Sequence, residues 1–139
     1  MKAFRAVIDT NVLYAGLYSS TGASHKILRM IDAGGIRPVL SSALLYEYEE
    51  ILKRHRDLLA LSAGDIEIVL NELCKRGESV PIHYLWRPQL PDPKDDHILE
   101  LAVAANHAPI VTHNRKDFEE AEKFNVRILS PAELIKEYP

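Results

Sequence analysis

An α/β fold, with a mainly parallel sheet covered by helices on both faces, is predicted by three features of this 139-residue sequence. Its candidate strands are short, continuous apolar runs rather than alternating ones, which marks strands buried on both sides. Stretches of helical periodicity separate those runs, as parallel strands require of their crossovers. Turn and cap residues such as Gly34-Gly35 and Ser130-Pro131 punctuate the boundaries.

Ala3 to Ile8 reads as the first buried strand, and Thr10 to Leu13 turns the chain toward helix. After the polar break at Thr21, Gly22 and Ser24, the run Ile27, Leu28, Ile31 is helical and Gly34-Gly35 stops it. Pro38-Val39-Leu40 is a second strand. Ser41 or Ser42 caps a helix whose apolar set is Leu44, Leu45, Tyr48, Ile51 and Leu52. A further helix spans Ala63 to Lys75, with Ile66, Val69, Leu70 and Leu73 inward. Val80 to Tyr84 suits an edge strand, because Pro81 cannot donate to a ladder on both sides. The turn-rich RPQLPDPKDD leads to a helix marked by Ile98, Leu99, Ala102 and Ala105. Pro109-Ile110-Val111 and Val126 to Leu129 are the remaining strands, and Ser130-Pro131 with Glu133 starts the last helix.

The length suits one domain, residues 1–139, able to bury roughly two-thirds of its unfolded surface. With 47% hydrophobic residues a core is assured, and 17 Lys plus Arg against 20 Asp plus Glu give a net charge of -3. That balance argues against a strongly basic, nonspecific nucleic-acid binder but allows a local basic rim. The single Cys74 cannot form an intrachain disulfide and fits a reducing compartment. The opening MKAFRAVIDTNVLYAGL lacks a signal-peptide plan, and no run approaches the ~20 apolar residues of a membrane helix. Cytoplasmic residence without membrane association is therefore expected.

Four acids occupy positions where chemistry is done. Asp9 follows the first strand, at the sheet edge where α/β folds bind ligands, although capping the next helix is an equal use for it. Glu47 borders the apolar arc of its helix; Glu49 borders the other side equally closely, and periodicity does not choose between them or exclude an ordinary solvated flank. Asp92, Asp95 and Asp96 cluster in a Pro-containing turn, and Asp95 is in line with Ile98, Leu99 and Ala102. A carboxylate at the head of an inward stripe needs a partner, either a cation or helix N-terminal amides. Asp96 faces elsewhere and suits a cap or an outer supporting role. Asp117 follows the strand at Ile110-Val111, with Thr112 and Asn114 nearby; taken alone, it is better read as the start of a short helix around Phe118. Brought together, such carboxylates repel unless protons or cations compensate, and hard oxygen donors select Mg²⁺ or Mn²⁺.

VIDTNVL at Val7 to Leu13, SSALLYEYEEIL at Ser41 to Leu52, DPKDDHILELA at Asp92 to Ala102 and VTHNRKDF at Val111 to Phe118 resemble the PIN-domain family. VRILSPAEL at Val126 to Leu134 resembles that family's terminal strand and helix, so the likeness runs through the chain in order. It is similar above all to small prokaryotic members assigned to toxin–antitoxin systems. The resemblance implies a PIN-like three-layer fold and Mg²⁺- or Mn²⁺-dependent hydrolysis of RNA phosphodiester bonds. It also implies self-association as a homodimer or higher homo-oligomer and a cognate antitoxin. It assigns Asp9, Glu47, Asp95 and Asp117 to the catalytic metal centre, settling the tie between Glu47 and Glu49. Asn11 and Thr112 would orient groups around that centre, with secondary acidity from Asp92 or Asp96. Some members carry an acid where this chain has Asn114, which leaves the fourth acidic role to Asp117 or a second ion loosely held. A catalytically weak RNA- or protein-binding module is the alternative.

Other residues have plainer readings. His97 and His113 lack zinc spacing and read as surface or supporting groups. Arg115 and Lys116 could meet phosphate or simply be solvated, and His25, Lys26 and Arg29 could form a positive rim. Tyr14, Tyr18 and Trp86 could stack bases or close a dimer, with ordinary packing the default.

Overall fold

The structure, a computed structural model, describes residues 3–82 and 89–138. The chain begins β1 (Phe4–Ile8), α1 (Thr10–Tyr18), α2 (Ala23–Asp32), β2 (Ile36–Leu40), α3 (Ser42–Arg54), α4 (Arg56–Leu59), α5 (Ala63–Arg76) and β3 (Glu78–Ser79). A 3-10 turn at Pro93–Asp95 leads into α6 (Asp96–Ala104) and β4 (Ile110–Val111). A longer 3-10 segment, Arg115–Phe124, precedes β5 (Ile128–Leu129) and α7 (Pro131–Glu137).

The five strands form one sheet in the order β3-β2-β1-β4-β5, and every pairing is parallel. The expected α/β architecture, a parallel sheet flanked by helices, is the one observed. β1 is central because its residues Ala6, Val7 and Ile8 are apolar and buried, as a strand covered on both faces must be. From β1 the chain builds outward to β2 and β3, then returns to the other side for β4 and β5. The order therefore reverses between β1 and β4, and a crevice opens there beyond the carboxyl ends of the two strands.

Local signals explain most boundaries. The Ser41 hydroxyl accepts the Leu44 amide at 3.1 Å, and capping boxes start α5 at Ser62 and α7 at Ser130. The expected strand from Val80 to Tyr84 is displaced. β3 is Glu78–Ser79, and its ladder closes with the Val80 amide donating to Leu40 at 2.9 Å. Pro81 has no N–H with which to continue it. The edge position is as expected, while Tyr84 lies outside the described residues. The short α4 was not anticipated; it ends at Ala60 with a φ of 54°, a left-handed stop that no glycine or asparagine announces. Cys74 is a free thiol, exposed on α5. Among the described residues no helix is long and apolar enough to cross a membrane.

Candidate active site

Strand register brings the first two site residues together. Ile8 pairs with Val111, so the next residues, Asp9 and Thr112, stand side by side at the sheet edge. The Asp9 amide still donates to Val111 at 2.9 Å, and the Thr112 amide to Leu129 at 2.9 Å. Thr112, wholly buried, donates its hydroxyl to Asp9 Oδ2 at 2.7 Å, while the Thr10 amide donates to Asp9 Oδ1 at 2.8 Å. Asp9 thus caps α1 and also lines the cleft at the strand reversal. Asn11 braces the opposite loop: its carbonyl accepts the His113 amide at 3.3 Å, and its Nδ2 approaches Thr112 Oγ1 at 3.5 Å. The Thr112 hydroxyl also accepts the Asn114 amide at 3.0 Å.

The capped start of α3 aims its second turn at the same place. Tyr48 is buried and donates its hydroxyl to the Ile8 carbonyl, tying α3 to the end of β1. Glu47, one residue earlier, lines the cleft, where it accepts from the Thr10 hydroxyl and from His97 Nε2 at 3.2 Å. Glu49 lies on the other flank and pairs with Lys53 at 3.6 Å.

Asp95 ends the 3-10 turn before α6 and faces the cleft, as do Asn114 and Asp117 from the start of the 3-10 segment after β4. The other two acids of the turn do different work. Asp92 caps the turn by accepting the Lys94 amide at 3.0 Å. Asp96, 1% exposed, does not line the cleft; its Oδ1 accepts the amides of Gln89 at 3.2 Å and Leu90 at 2.9 Å. It anchors the chain entering the turn instead of capping a helix. Asp9, Glu47, Asp95 and Asp117 therefore share one cleft of about 840 Å³, although they come from four separate stretches of sequence.

The electrostatics follow from that gathering. Burial raises the Asp9 carboxyl to about 6 despite hydrogen bonds from Thr112 and Thr10, and the Glu47 charge adds to the rise. Asp95 is raised to about 7 by burial and by the negative charges of Asp9, Asp92, Asp117 and Glu47. Burial also pushes Glu47 upward, but hydrogen bonds from His97 and Thr10 together with the pull of His97 outweigh it. The Glu47 carboxyl consequently sits below its usual value. Uncompensated negative charge on hard oxygen donors suits a divalent cation. As they stand, no three acid, histidine or cysteine side chains among the described residues are close enough to grip one.

Thr10, Tyr48 and His97 are contributors that the sequence did not single out for these tasks. Tyr48 read as core, and His97, with a side chain only 11% exposed, read as surface or support. Their partners lie on other elements, so no local spacing announces them. Arg115, considered for phosphate, pairs with Glu133 at 2.9 Å, and His113 meets Ser24 at 2.7 Å. Trp86 lies outside the described residues.

A family model described as PIN domain matches residues 5–116. No curated protein matches the chain.

Proposed function

Because the chain belongs to the PIN-domain family, whose members are in general nucleases, we propose that it is a Mg²⁺- or Mn²⁺-dependent endoribonuclease acting as a single domain. The observation that carries this reading is the convergence of Asp9, Glu47, Asp95 and Asp117 on one cleft at the strand reversal. A bound divalent cation supplies a polarised water and stabilises charge on the phosphoryl oxygens. Asp9 and Asp95 would hold it, with Asp117 completing the acidic cup. Thr112 and the Thr10 amide fix both Asp9 oxygens, so that carboxylate is oriented before any ligand arrives. Glu47, favoured in its ionised form and held by His97 and Thr10, is placed to support the cation or to orient the attacking water by accepting its proton.

The direct test is cleavage of a single-stranded RNA by purified protein with Mn²⁺, with Mg²⁺ and with excess chelator. Cleavage is expected only with metal, and metal-independent cleavage would overturn the assignment. The rate should also fall with acidity. Asp95 at about 7 and Asp9 at about 6 must both release protons to meet a cation, so activity should drop steeply from pH 8 to pH 5.5. A flat profile at subsaturating Mn²⁺, where protons and cation compete for the same oxygens, would remove these two groups from the metal centre.

We place the enzyme in the cytoplasm as the self-associating toxin of a toxin–antitoxin pair, its antitoxin covering the acidic cleft. Expression with and without the adjacent gene, scored for growth and RNA integrity, tests this role. Equal growth with intact RNA would sink it. The second reading, a catalytically weak RNA- or protein-binding module, draws on the spacing of the acids within the cleft, no three of which lie close enough to hold one ion among the described residues. It requires partner binding without Mn²⁺ uptake.

A further inference from the structure

The acidic cleft has a second chemistry along its wall. Beside Glu47 on α3, Tyr46 lines the same cavity, as does Tyr14 of α1. Tyr14 is braced: Tyr18 stacks on it with centroids 6.0 Å apart, and His55 meets it edge-on at 5.1 Å. Tyr46 is 69% exposed, and among the described residues it has neither a ring contact nor a hydrogen bond. A lone exposed aromatic ring is unremarkable on a protein surface. One adjoining a carboxylate of a cleft that would take phosphodiesters is placed to meet what lies beside the phosphate.

Resting on the nuclease reading, we infer that Tyr46, with Tyr14 lining the same cleft, is the stacking platform for an unpaired nucleobase next to the scissile phosphate. A duplex keeps its base faces covered, whereas a single strand presents them to aromatic side chains. The charge balance supports the same occupant. A net charge of -3 and an acidic cleft supply little attraction for a phosphate backbone, so binding must draw on the bases. Lys94, on the rim and without an ion pair among the described residues, is one cation left for the backbone. The platform selects single strands with little regard to sequence, since every base has a face to stack.

The test uses the metal-free 139-residue chain and a single-stranded oligoribonucleotide carrying 2-aminopurine, whose fluorescence is quenched on stacking. Wild type and Tyr46→Phe should bind and quench alike, while Tyr46→Ala should bind roughly tenfold more weakly and lose the quench. Circular dichroism and sedimentation would verify fold and oligomeric state. Equal affinity and quench in Tyr46→Ala would overturn the platform, as would absence of RNA binding by wild type. A change of oligomeric state with unaltered RNA binding would instead place the ring between copies of the chain, and would overturn it too. Because binding is read without cleavage, failure here leaves the nuclease reading standing, and a wild type that binds but never cleaves defeats that reading alone.

Discussion

Asp9→Asn should abolish Mn²⁺-dependent RNA cleavage, with a loss of roughly a thousandfold or more, while leaving the fold intact. The substitution is nearly isosteric, and the remaining carbonyl can still accept the Thr10 amide that Asp9 Oδ1 accepts at 2.8 Å. The Thr112 hydroxyl, which donates to Asp9 Oδ2 at 2.7 Å, can rotate to accept from the new amide group. What disappears is the negative charge at the end of β1, which the cation needs and no neighbour replaces. Single-turnover cleavage with circular dichroism as the control measures the effect. Unchanged cleavage by a rigorously purified variant would remove Asp9 from the centre.

The same variant should be more stable than wild type when metal is absent and the pH is high. Asp9 has a folded-state value of about 6 against an ordinary 3.8, so between those values the folded protein keeps a proton that the unfolded chain has released. Stability contributed by this group therefore falls as pH rises through that window, by up to about 3 kcal/mol once above it. Asn carries no such charge. Urea unfolding without metal should show Asp9→Asn gaining on wild type from pH 4 to pH 8, toward that limit. Asp95, half-buried and raised to about 7, drains stability in the same direction, though solvent screens it. Saturating Mn²⁺ should reverse the ranking at pH 8 by stabilising wild type alone. A stability difference between variant and wild type that does not change from pH 4 to pH 8 without metal would show that Asp9 carries no burial strain.

This trade of stability for charge also shows what could be read from the sequence. The α/β order, the parallel sheet and the placing of Asp9 at a strand exit follow from short apolar runs and their spacing, because those features are local. Glu47 and Glu49 could not be separated on a helical wheel, since both border the apolar arc; the resemblance chose Glu47, and the packing of α3 turns it into the cleft. His97 reads as a surface or supporting group, but which acid it supports is not legible because Glu47 lies on another helix; the bond of Tyr48 to Ile8 is likewise tertiary. Asp96 read as a cap or outer acid. The chain doubles back before α6 to give it the amides of Gln89 and Leu90, a contact periodicity does not encode.

Whether this cleft is a divalent-metal centre is decided by a crystal structure soaked in Mn²⁺ with anomalous diffraction. A Mn²⁺ peak is expected with carboxylate oxygens of Asp9 and Asp95 about 2.1 Å away, and Glu47 or Asp117 turned toward it. An ordered, solvent-accessible cleft that holds no Mn²⁺ at saturation would contradict the metal assignment.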